Sequence, residues 1–275
     1  RMIAFYDPQQ HHALAFLYGL EPGVMSLSAT SWTLWALGYP EQALKQSREA
    51  MALAQELSHP PSLAMAQVYA GTLHALCRDW QKTRQLSGAC VRLSTEKGFP
   101  YWLTGGLVCR GWALAEQGQA EDGVVQIRQG IAGSRATGNE VLRVYQFAVL
   151  AEAYRRAGQA EEGLAAVAEA LAAVSRTRER LYEAEVHRLK GELLRMQGVD
   201  PAEVEACFHQ AIEVARRQQA RSWELRAVMS LCRLWQEQGQ REEARQRLAE
   251  IYGWFTEGFD TPDLTEARAL LEELS

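Results

Sequence analysis

A short segment returns along this chain every forty residues. It reads ALGYPEQA at 36–43, EQGQAEDG at 116–123, RAGQAEEG at 156–163 and EQGQREEA at 237–244. Weaker copies, LCRDWQKT at 76–83 and MQGVDPAEV at 196–204, fill the gaps. Anchored on Gly38, Arg78, Gly118, Gly158, Gly198 and Gly239, the steps are 40, 40, 40, 40 and 41 residues. A period that regular means that each unit buries its apolar surface against the next, in one continuous core.

One unit can be read physically between Phe147 and Gly198. Phe147, Leu150, Ala151 and Tyr154 recur at i, i+3, i+4, i+7, the apolar stripe of an amphipathic helix. Gly158 follows, a residue suited to the left-handed conformation at a helix C-terminus. Glu161 and Glu162 then fall in the first turn of the next helix, where the macrodipole favours negative charge. Leu164, Val167, Leu171 and Val174 give a second stripe, and a new helix is predicted near Tyr182. Two helices of ~15–18 residues with short turns fill the period.

Aligning the copies exposes one column of small residues and a second of small or aliphatic ones. Seven positions before the anchor stand Ser31, Gly71, Gly111, Ala151, Gly191 and Cys232. Twelve or thirteen after it stand Ala50, Cys90, Gly130, Ala170, Ala211 and Ile251, if one residue is inserted beside Pro201. Small residues recurring at fixed places let two helices approach closely. Four before the anchor the residues are large: Leu34, His74, Leu114, Tyr154, Leu194 and Trp235.

The small column, the large column and the Gly-x-[AYP]-x-x-[AG] turn resemble the tetratricopeptide repeat, with a unit longer than its usual ~34 residues. The resemblance implies an all-α, right-handed α-solenoid of helix pairs. Residues 23–260 hold six pairs. Residues 1–22 are the remnant of a preceding repeat and linker. Residues 261–275 form a capping helix, with Thr261 as N-cap and Pro262 at the first helical position. YEAEVHRLKGELL at 182–194, the stretch 215–235 and the stretch 251–274 further resemble the repeat arm of large bacterial signalling proteins. Those carry a class III nucleotide cyclase-like domain and an AAA/STAND-type ATPase ahead of the repeats. No cyclase or ATPase motif lies in this sequence, so the resemblance implies a sensing or scaffolding arm.

Composition narrows the partners. The formal net charge of −5 argues against a phosphate backbone, which needs a concentrated basic face. No apolar run reaches the ~18 residues of a membrane span. Cys77, Cys90, Cys109, Cys207 and Cys232 are odd in number and show no CxxC spacing, as expected of reduced residues in a cytoplasmic protein. No phosphate loop, zinc spacing, HExxH or GxSxG occurs. His11-His12 reads as a solvated pair, His187 as a packing residue, and Gly105-Gly106 as close packing. No catalytic residue, cofactor or metal is expected.

The candidate site is the concave face that first helices line in such repeats. Its expected residues are Met25, Trp32, Trp35, Met65, Thr72, Trp112, Tyr145, Glu152, Arg155, Glu185, Arg188, Glu192, Arg195, Arg226 and Arg233. The early repeats offer tryptophan and methionine there, the late ones arginine and glutamate. Two readings stand. The late charges pair among themselves and the early face packs on a neighbour; or the groove holds a peptide, with Trp32, Trp35 and Trp112 presented and the arginines orienting an acidic segment. The expected function is a non-enzymatic protein–protein interaction or scaffolding module, with self-association possible. The alternative is the effector-sensing domain of a STAND-type transcriptional activator.

Overall fold

The computed structural model describes residues 19–138 and 141–275. His11-His12 and most of the expected remnant, 1–18, lie outside them. Every regular element among the described residues is a helix. In chain order these are α1 (Pro22–Leu37), α2 (Pro40–Glu56), α3 (Pro60–Leu76), α4 (Trp80–Lys97), α5 (Pro100–Glu116), α6 (Ala120–Ala136) and α7 (Arg143–Arg156). They continue as α8 (Ala160–Thr177), α9 (Glu183–Met196), α10 (Pro201–Arg217), α11 (Arg221–Glu237), α12 (Arg241–Tyr252) and α13 (Pro262–Leu274). Consecutive helices pack as pairs, with α5 against α6, α7 against α8 and α9 against α10. The fold is all-α and tetratricopeptide-like.

Local chemistry sets the helix boundaries. Proline opens α3, α5, α10 and α13, where its missing N–H costs nothing. Asp79 caps α4 by accepting from the Lys82 N–H at 2.9 Å, and Asp200 caps α10 by accepting from Ala202 N–H at 2.9 Å. Thr261 occupies the N-cap position of α13, but its hydroxyl donates to the Gly258 carbonyl instead and makes no cap bond.

All six anchors have left-handed backbone: Gly38 (φ 96°), Arg78 (60°), Gly118 (83°), Gly158 (73°), Gly198 (70°) and Gly239 (80°). They form the turn within each pair. A second left-handed set closes each pair and leads to the next: Ser58 (50°), Gly98 (72°), Gly138 (70°), Arg178 (59°), Gln219 (56°) and Gly258 (75°). Only half of these are glycine, so the sequence pattern does not reveal them. A non-glycine residue there bears a steric cost from its Cβ.

The small column is buried throughout: Ser31, Ala151 and Cys232 have no exposed surface, and Gly71, Gly111 and Gly191 are buried. Its function is close approach. A Cβ on Gly111 would stand 2.6 Å from Ile127 Cγ1 and 2.7 Å from the Gly123 carbonyl oxygen. One on Gly191 would stand 2.5 Å from the Phe208 ring. In other repeats a polar atom uses the contact: Thr83 Oγ1 donates to the Gly71 carbonyl at 3.2 Å, and Cys232 Sγ to the Ala244 carbonyl at 3.2 Å.

Contacts group the chain into two compact units, Arg1–Trp35 with Pro40–Asn139, and Ala36–Tyr39 with Glu140–Ser275. In the first, Val24, Ala54, Met65 and Ala66 make one core cluster, and Ala64, Val68 and Cys90 another. In the second, a continuous cluster runs from Val204 and Phe208 through Leu225, Leu231, Leu248 and Phe255 to Leu264 and Leu274. The final helix is thus built into that core.

Two outcomes check this packing. Gly111→Leu and Gly191→Leu should each lower stability by ~1–3 kcal/mol or more, since the larger side chain meets backbone or a fixed ring. Unchanged thermal midpoints in both would refute the pairing. Gln219→Gly should raise stability by ~0.5–1 kcal/mol by relieving left-handed strain, read as a shift of the urea midpoint.

Candidate functional site

The first helices of the pairs, α1, α3, α5, α7, α9 and α11, carry the expected site residues. In the first unit most of these are buried. Trp32, Trp35, Met65, Thr72 and Trp112 retain between 0 and 8% of their surface. An indole cannot be buried cheaply without an acceptor for its N–H. For Trp32 the acceptor is the Tyr69 carbonyl at 2.8 Å, and the two rings stack with centroids 4.3 Å apart. Thr72 Oγ1 lies 3.2 Å from Cys109 Sγ. The expectation of presented tryptophans is corrected accordingly: these side chains are packed, and Met25 is the exposed member of the set, at 39%.

The second unit places its charges together. In α7, Arg155 donates through Nε and Nη2 to both oxygens of Glu152 at 2.8 Å, and Arg156 adds a bond of 3.0 Å. In α9, Arg188 grips Glu185 in the same forked way at 2.8 Å. Its remaining nitrogen reaches Glu192 and the hydroxyl of Ser230 on α11, each at 3.3 Å. Ser230 in turn donates to Glu192 at 2.6 Å. Arg195 donates to Glu237 at 2.6 Å, Arg226 to Asp263 at 2.7–2.8 Å, and Arg233 to Glu266 at 2.6 Å. Beside them runs an aromatic row, Tyr145, Tyr182 and Trp223, with centroids 5.0 and 5.3 Å apart and Arg226 over Trp223.

The late arginines are therefore engaged by carboxylates of their own chain. Of the two readings drawn from sequence, pairing among themselves describes this state of the face. Glu152/Arg155, Glu185/Arg188 and Glu192/Arg195 follow i, i+3 spacing and were legible. Ser230, Glu237, Asp263 and Glu266 were not singled out. Their signal was available: they stand 33 to 42 residues beyond the arginines they pair with, about one period.

Burial and partners set the electrostatics. Burial raises the Glu152 carboxyl, but the hydrogen bond and charge of Arg155, with the charges of Arg188 and Arg156, outweigh it and bring it down to about 2. Burial works against the charged form of Arg188 too, yet Glu185, Glu192 and Glu152 hold its pKa above the ordinary value. Such a network is fixed and internally neutralised, with no poised acid or base. His187 is half-buried and its pKa is lowered by that burial. Cys90 and Cys232 are buried thiols pushed up to about 12 by desolvation, so neither is a ready nucleophile. All five cysteines are free. Among the described residues no group of three or more His, Cys, Asp or Glu is arranged to hold a metal, and no helix is long and apolar enough to cross a membrane.

No family model matches the sequence, and no curated protein matches it. Solved structures do match in shape. PlcR of Bacillus thuringiensis, in complex with the peptide PapR7 and DNA, aligns with a TM-score of 0.63 at 16% identity over 74% of each chain. The repeat is tetratricopeptide-like. Aspartyl phosphate phosphatase F from Bacillus subtilis aligns with a TM-score of 0.60 at 11% identity, covering 83% of this chain and 58% of that one. A STAND signal-transduction ATPase with a tetratricopeptide repeat sensor, from Pyrococcus horikoshii, aligns with a TM-score of 0.52 at 12% identity. That match covers 92% of this chain and 38% of the archaeal one. Likeness at such low identity establishes the fold and nothing of the activity.

The Glu152 network has a pH signature. Its folded-state value lies below the ordinary 4.5, so its stabilisation is complete above that pH and is lost as pH falls towards 2. Glu152→Gln should remove about 3 kcal/mol of this acid-dependent stability. The check is thermal unfolding of both proteins between those pH values, where the wild type should converge on the variant.

Proposed function

We propose that this chain is a non-enzymatic protein- or peptide-binding repeat module, the regulatory arm of a larger bacterial signalling protein. The observation that carries this reading is the alignment of first helices one period apart. It sets side chains such as Arg188 and Ser230, or Arg195 and Glu237, side by side. An extended partner can then make equivalent contacts in successive repeats, which is how a solenoid builds a long binding surface from short units. The fold shared with PlcR, solved with a bound peptide, supports it. The cyclase- and ATPase-linked context rests on the sequence resemblance, as does a cytoplasmic setting on its cysteine usage. The shape match to the STAND sensor favours the second reading, an effector-sensing domain of a STAND-type regulator.

The two readings separate experimentally. As a docking arm, the chain should bind the other domains of its natural polypeptide in calorimetry. Met25→Glu, at an exposed position of α1, should weaken that binding about tenfold, with helical circular dichroism retained. Full-strength binding by this variant would move the interface off the first helices. As a sensor, it should instead show a thermal midpoint that rises with a small effector.

A further inference from the structure

The second helices of the second unit sort charge onto its two edges. Each starts at an anchor turn and ends at a turn between pairs. The first turns of α8, α10 and α12 carry Glu161, Glu162, Glu203, Glu242 and Glu243, all exposed. The last turns of α8 and α10 carry Arg176, Arg216 and Arg217, and the turn after α8 adds Arg178 and Arg180, all exposed. Acidic starts and basic ends suit the dipole of each helix taken alone. Repeated in successive pairs that run the same way, they give the unit one edge of each sign.

The basic edge is a ridge with its own counter-charge set underneath. Glu183 is 11% exposed and is held by Arg180 at 3.1 Å, while Glu224, at 2%, is held by Arg216 at 2.6 Å and Arg221 at 2.7 Å. Those carboxylates are spent inside, and Arg180 and Arg216 still keep 56 and 41% of their side chains in solvent. Arg216 also lies 3.9 Å from the exposed Glu250, so the ridge is most basic from Arg176 to Arg180 and at Arg217. Arg178 and Arg217 have no ion-pair partner among the described residues. Gln218 Nε2 donates to the Arg180 carbonyl at 3.0 Å, which joins the two basic turns side by side.

We propose that this ridge docks the acidic edge of a second copy of the chain. The signs are complementary, and so is the spacing. Arg176 and Arg217 stand 41 residues apart, as Glu162 and Glu203 do, at equivalent places on α8 and α10. A second copy therefore offers carboxylates at the interval at which the ridge offers guanidinium groups, and each match can form a charge-assisted hydrogen bond. Glu161, Glu162, Glu203 and Glu243 have no ion-pair partner among the described residues, so docking breaks nothing there. The contact joins unlike edges and leaves one edge of each sign free, so association continues with concentration instead of stopping at a dimer. It uses the edges and not the first-helix face, and stands or falls apart from the function proposed above.

The test is sedimentation equilibrium of the full 275-residue chain. At about 20 mM salt the weight-average mass should climb with concentration, with a Kd of about 100 μM per contact, and at about 0.5 M salt it should return to the monomer. Arg178→Glu with Arg217→Glu makes both edges acidic, and Glu162→Arg with Glu203→Arg makes both basic. Each double variant alone should associate at least about tenfold more weakly, and an equal mixture of the two should recover association. Recovery in the mixture is a readout that misfolded variants would not give. A wild type that stays monomeric at low salt, association indifferent to salt, a double variant that associates like the wild type, or a mixture that fails to recover would each overturn the proposal. A monomeric chain whose ridge binds poly-dT would give the ridge to nucleic acid and overturn it as well.

Discussion

The whole structure depends on how close the two helices of each pair can come. At Gly111 and Gly123 the backbones approach so nearly that one added carbon on Gly111 would sit 2.7 Å from the Gly123 carbonyl oxygen. Interiors packed at that density tolerate no extra volume. Once the pair distance is fixed, the first helices have little freedom in how they face, and residues one period apart become neighbours. The face described here is a by-product of glycine, alanine, serine and cysteine recurring at one position of the repeat.

Neutralisation gives that face its character. Removing one member of a buried ion pair leaves a charge without a partner, which costs far more than the pair gained by forming. Arg188, held by Glu185, Glu192 and Ser230, is consequently a structural clamp between α9 and α11. The burial of Trp32 follows similar reasoning. With its N–H satisfied by Tyr69 and its ring stacked, presenting it would forfeit both contacts.

Much of the fold was legible because the constraints recur. The anchor glycines, the small column and the acidic first turns recur at the same phase, so a weak local signal is read several times over. Arg78 shows the strength of this: it is not glycine, yet the period places it correctly and its φ is 60°. Ser58, Arg178 and Gln219 show the limit. They have the same left-handed backbone, but side chains that do not announce it. The face was harder. Periodicity tells which residues share a helix side, not which of them a neighbouring helix covers, so Trp32, Trp35 and Trp112 read as presented when they are packed. The polar partners about one period on, Ser230, Glu237 and Asp263, needed pairing between repeats rather than within a helix.

The single step of 41 residues reveals how length is stored along the chain. Where the other pairs turn through one residue after the anchor glycine, here Val199 and Asp200 follow Gly198 before α10 begins at Pro201. Helix α10 keeps 17 residues, as the second helices α2 and α6 do. An extra residue inside a helix would rotate everything beyond it by about 100° and turn the small column away from its neighbour. In the turn it rotates nothing. Rotational phase is thus counted from the start of each helix, while the turns act as joints where the count can drift without loss of register.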